Sequence, residues 1–117
     1  MRTRTLRFGL YADPEGLAWA DALVDGAVRA RGARITGRTV LRALPGGMTT
    51  ADLYDHLVEQ WAWEHPGHDG GAREPAELRV RLVCSLRTWR AIRKAVLRGL
   101  CPEGSAPHTC RVPWCTA

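Results

Sequence analysis

The sequence predicts an α+β domain: a ferredoxin-like sandwich of two split strand-helix-strand (βαβ) halves, with an inserted helix between them. Three observations predict it. Residues 3–12, 33–42 and 77–85 alternate apolar and polar side chains, the period of a strand with one buried face. The first and third of these lead directly into helix-start signals followed by apolar residues at helical spacing. The alternation also argues against a three-layer parallel sheet, whose strands are buried on both faces and read as continuous apolar runs. At 117 residues, 45% hydrophobic and 25% charged, the chain has the composition of one globular domain spanning 1–117.

In residues 3–12, Leu6, Phe8 and Leu10 share one side, and Arg7, Gly9 and Tyr11 the other. Asp13-Pro14-Glu15 then starts a helix: Asp caps free amides, Pro is pre-set for the first turn, and Glu meets the positive dipole end. Leu17, Ala20, Val24, Ala27 and Val28 give that helix an apolar face to about Arg31, with Gly32 as its stop. In residues 33–42, Ile35, Gly37, Thr39 and Leu41 fall on one side and Arg34, Thr36, Arg38, Val40 and Arg42 on the other. Pro45-Gly46-Gly47 reads as a turn that ends this strand.

Residues 45–75 read as a helical insertion and polar loop. Thr49 or Thr50 caps its helix, Asp52 supports the first turn, and Leu53, Leu57 and Trp61 form a core stripe that is lost by Pro66. Trp61 and Trp63 point roughly 200° apart on a helix, so only one of them can face the core. The third strand sets Leu78, Val80, Leu82 and Cys84 against Arg79, Arg81, Val83 and Ser85. Ser85 or a neighbour caps a third helix to about Leu100, with Trp89, Ile92, Val96 and Leu100 in one apolar arc and Arg93 inside that arc, placed to pair with an acid of the insertion. Residues 101–117 form a Cys-containing tail, in which Thr109–Trp114 is expected to make a short edge strand that tolerates Pro113.

Charge is unevenly distributed. The formal net charge is +5, yet residues 1–77 carry nine basic and eleven acidic side chains, while residues 78–117 carry eight basic ones and Glu103 alone. Between Asp52 and Glu77 there are seven acids and only Arg73. Such polarity can set a phosphate-binding face beside one that repels phosphate. Sixteen of the seventeen cations are Arg, which with abundant Ala and Gly also fits a GC-rich coding bias.

If the apolar strand faces meet the helices, the opposite sheet face carries Arg7, Arg34, Arg38, Arg42, Arg79 and Arg81, with Tyr11 as its aromatic platform. Arg neutralises phosphates and stacks on bases, and a Tyr ring accepts a splayed base. The third helix adds a separate basic stripe of Arg87, Arg90, Lys94 and Arg98. These residues make RNA or DNA the expected partner of a small cytoplasmic nucleic-acid-binding or regulatory module. The competing reading is a protein-interaction or assembly domain, such as a homodimer, motivated by five Trp residues in a short chain.

No complete catalytic or nucleotide-binding signature occurs, so no catalytic residue or cofactor is assigned and a non-enzymatic role is favoured. Asp52, His56 and Glu59 are the first titratable candidates for a small enzyme or ligand-binding protein. Cys101, His108, Cys110 and Cys115, with Cys84 as a substitute ligand, could supply a tetrahedral zinc site, but no C-x2-C knuckle is present. Disulfides and free thiols compete with that reading, and the expectation is no bound zinc. His65, His68 and Asp69 lie in a Gly/Pro-rich loop that does not fix a ligand geometry. The basic N-terminus leads into no long apolar core, so neither a signal peptide of the usual form nor transmembrane association is expected.

Overall fold

In the computed structural model, which describes residues 2–42, 49–101 and 112–116, the alternating segments pair into one four-stranded antiparallel sheet. The chain runs β1 (Arg2–Ala12), α1 (Pro14–Ala30), β2 (Arg34–Leu41), α2 (Thr50–Leu53), α3 (Asp55–Glu64), β3 (Glu74–Cys84), α4 (Leu86–Leu100) and β4 (Trp114–Thr116). The sheet order is β2-β3-β1-β4, with the two longest strands at its centre. The architecture is α+β.

Local signals set the helix ends. The Asp13 carboxylate accepts from the Gly16 amide at 2.7 Å, and Pro14 stands at the first helical position of α1. Gly32, at φ 66°, supplies the left-handed turn that leads from α1 to β2. Ser85 caps α4 by accepting from the Thr88 amide at 3.2 Å. Thr49 is the cap of α2, accepting from the Asp52 amide at 3.1 Å. Among the described residues no helix is long and apolar enough to cross a membrane.

The main core lies between the sheet and α1/α4. Leu6, Phe8, Leu10, Val80 and Leu82 meet Val24, Val28, Ile92, Val96 and Leu100, all essentially excluded from solvent. Each such side chain contributes about 1.5–3 kcal/mol of burial. Cys84 sits in this core as a small apolar residue, and Trp89 packs against its edge while donating from Nε1 to the Thr5 carbonyl at 3.2 Å.

Four features depart from the sequence expectation. First, the inserted helix is two helices. The chain breaks at Tyr54 (φ −113°, ψ 24°), whose buried side chain replaces Leu53 in the core stripe and leaves Leu53 40% exposed. Second, the insertion folds over the sheet face opposite α1 and α4. Tyr54, Leu57 and Trp61 pack there on Tyr11, flanked by Val58 and Cys115. Third, β2 carries a bulge between Ile35 and Gly37, which reverses the facing of the residues that follow. Fourth, the described edge strand is Trp114–Thr116; residues 109–111 of the expected strand, and the Pro45-Gly46-Gly47 turn, lie outside the described residues. Arg93 consequently serves this edge, donating to the Thr116 hydroxyl at 3.0 Å, because the insertion is on the far side of the sheet.

The insertion can approach closely because Gly9 has no side chain. A Cβ built at Gly9 would lie 2.2 Å from Cε1 of Tyr54. Gly9→Ala is therefore expected to destabilise the domain by about 1–3 kcal/mol, the usual range for overpacking. Urea unfolding followed by far-UV circular dichroism checks this; a change smaller than about 0.5 kcal/mol would contradict the packing.

Candidate functional site

Residues paired directly across a sheet share a face, so the register assigns every strand side chain to one side. On the face opposite the main core, two rows run across the three principal strands. Gly37, Arg81 and Thr5 form one row; Thr39, Arg79 and Arg7 form the next. The row after that is Leu41, Glu77, Gly9 and Cys115, and here the insertion begins to cover the sheet. What remains open is a basin of ≈ 490 Å³ lined by Thr5, Arg7, Gly37, Arg38, Thr39, Leu41, Arg79 and Arg81. Gly37 leaves its floor without a side chain.

At the covered edge sits Glu77, a carboxylate only 2% exposed. Tyr54 donates its hydroxyl to Oε1 of Glu77 at 2.5 Å, and Arg79 donates Nε to Oε2. A buried carboxylate needs such partners, since removing either leaves a desolvated charge unsatisfied. Burial first, and then the bond to Glu77, push the Tyr54 phenol far above its ordinary value, so it stays protonated and remains a donor. Because Arg79 uses Nε, its two terminal nitrogens bond to no described residue. Arg7 and Arg81 form no ion pair with a described acid. Burial also raises the Cys115 thiol, which lies across β1 from the same network.

Of the residues expected on the open face, Arg7, Arg79 and Arg81 come together. Arg34 shares their face but stands beyond Arg81, opposite Val83. Arg38 borders the basin, but the bulge turns its guanidinium to the helix side, where it bonds Asp21 and Asp25 of α1, each at 2.6 Å. That bond holds the Asp25 carboxyl below its ordinary value. Arg42 is paired with Glu74 at 2.9 Å. Tyr11 is 7% exposed beneath α3, its ring edge-on to Trp61 at 6.2 Å, and offers no base a platform. Arg87, Arg90, Lys94 and Arg98 are exposed on α4, on the other side of the molecule.

The remaining candidates disperse. Asp52, His56 and Glu59 are exposed, with Asp52 accepting from the Thr49 hydroxyl, so they form no acid–base pocket. His65 stacks on Trp61 at 4.4 Å between ring centroids, and Arg73 lies over the Trp61 ring at 5.3 Å. His68 faces the Pro66 carbonyl, and Asp69 accepts from the Gly71 amide. Among the described residues, no three His, Cys, Asp or Glu side chains are grouped to hold a metal; His108 and Cys110 lie outside them. Sequence reasoning missed Glu77 as an organiser of the site. Its signal was its phase: Glu77, Arg79 and Arg81 alternate on one face of one strand.

No family model matches the chain, and no curated protein or solved structure is significantly similar to it.

Tyr54→Phe keeps the ring on Gly9 but removes the donor to Glu77. It should lower stability by about 1–3 kcal/mol, the cost of an unsatisfied buried acceptor. Urea unfolding at neutral pH measures it, and wild-type stability would contradict the role given to Glu77.

Proposed function

We propose that this chain is a small cytoplasmic nucleic-acid-binding module of ferredoxin-like build, with a regulatory role, that grips the phosphates of a single strand in the open basin of its sheet. One observation carries the reading. Arg7 stands directly across from Arg79, with Arg81 two residues further along the same strand. Glu77 already engages the Nε of Arg79, while the two terminal nitrogens of Arg79 and the whole guanidinium of Arg7 are left without a described acid, so an anion placed between them gains donors from both strands. Guanidinium forks match phosphate oxygens in bidentate geometry. Thr5 and Thr39 add hydroxyls on either side.

The loss of Tyr11 to the insertion shapes the kind of recognition. Without a stacking platform, contact is directed to phosphates, which position a strand without reading its sequence. The insertion that covers the other half of this sheet face carries the exposed acids Asp52, Asp55 and Glu59, which disfavour a strand there. An assembly role is supported by a different observation: Trp63 is 84% exposed and forms a shallow apolar patch with Ala62 and Pro66. Sedimentation that is unchanged by Trp63→Ala over a wide concentration range would remove self-association through that patch.

Fluorescence anisotropy with mixed-sequence single-stranded RNA and DNA tests the main reading. Three arginine–phosphate contacts imply a slope of log K against log salt of about −2. Arg7→Ala/Arg81→Ala should weaken binding by about tenfold or more at low salt and flatten that slope. Salt-independent binding, or full binding by the double variant, would overturn it.

A further inference from the structure

We infer that α4 is a second phosphate-binding surface and that the protein joins two nucleic-acid segments, one on each side of its sheet. The inference rests on the reading of the basin just given and extends it to a bridging activity.

The sequence of α4 contains no Asp or Glu. Its apolar residues Ile92, Val96 and Leu100 are buried against the sheet. At 100° per residue, Arg87, Arg90, Lys94 and Arg98 fall within an arc of roughly 80° centred opposite those three. The stripe therefore points straight away from the sheet, while Arg7, Arg79 and Arg81 point out of the sheet's other face. All four cations are exposed, and none is in an ion pair with a described acid. The nearest helix, α1, has Asp21 and Asp25 already engaged by Arg38. Nothing described neutralises the stripe.

From Arg87 to Arg98 the stripe runs about 16 Å along the helix axis. A convex row of four cations of that length suits a line of phosphates, where duplex DNA carries one charge per about 1.7 Å of axis. It suits a lipid surface less well. The apolar face of α4 is committed to the core, and the one large apolar residue it exposes is Leu86, so the helix has no face to insert among acyl chains. A strand held in the basin is separated from the stripe by the sheet and the helix layer. Two cationic surfaces facing opposite ways hold two segments, which is the geometry of a cross-linker.

The test uses the full chain, a mixed-sequence single-stranded DNA immobilised on beads, and the same DNA with a fluorophore in solution. The wild-type protein should capture the labelled strand on the beads, with a maximum at intermediate protein concentration. Arg87→Gln/Arg90→Gln/Lys94→Gln/Arg98→Gln changes only exposed helical positions to another good helix former. It should keep the basin's share of strand binding, the part that Arg7→Ala/Arg81→Ala removes, yet lose about tenfold or more of the bead capture. Wild-type protein that binds single strands but captures none would overturn the inference and leave the basin reading standing. Undiminished capture by the quadruple variant would also overturn it, by assigning bridging to a dimer or to wrapping. A variant that loses binding to vesicles of anionic lipid while retaining full capture would assign the stripe to membranes instead. Failure of the wild type to bind either strand would remove both readings.

Discussion

One buried carboxylate ties this fold to its surface chemistry. Glu77 sits at the line where the sheet passes from covered to open, bonded on one side to Tyr54 of the insertion and on the other to Arg79 of the basin. Desolvating a carboxylate is costly unless its oxygens are satisfied, so the arrangement holds only when both donors are in place. The Tyr54 ring can reach it because Gly9 leaves room beneath, and the break between α2 and α3 occurs at the residue that makes this bond. The same contact fixes where the insertion stops, and hence how much of the sheet remains open.

Most of the backbone plan was legible in local signals. Period-two alternation located three strands, and Asp13, Thr49 and Ser85 marked three helix starts because capping is a matter of a few neighbouring atoms. The side chosen by the insertion was not legible, since it depends on Tyr54 meeting a carboxylate 23 residues away. Nor was the bulge at Ile35/Gly37: the residues of β2 alternate cleanly on either side of it, and only the pull of Asp21 and Asp25 on Arg38 shows which phase the later half adopts. A one-residue slip of this kind exchanges the two faces of a strand. It moved Arg38 and Val40 to the helix side and brought Gly37 and Thr39 to the basin.

The count of basic residues overstated the open face, and the structure corrects it by pairing. Arg38 is paired with Asp21 and Asp25, Arg42 with Glu74 and the Nε of Arg79 with Glu77, and Tyr11 is spent on the small second core. The remaining positive charge divides between the basin and α4. The acids of residues 52–64 sit on the insertion rather than among the basin's arginines. Charge segregation visible in one dimension thus becomes segregation by surface: acids on the insertion, and cations without a described acid in the basin and on α4.

The measurement that bears most directly on this account is amide mapping by heteronuclear NMR during titration with a mixed-sequence single strand at low salt. The account predicts saturable shifts in the amides of Thr5–Arg7, Gly37–Thr39 and Arg79–Arg81, and a separate set along the outer face of α4, with Tyr11 and the residues beneath α3 unmoved. Shifts centred on α2 and α3, or a spectrum that the strand leaves unchanged, would contradict it.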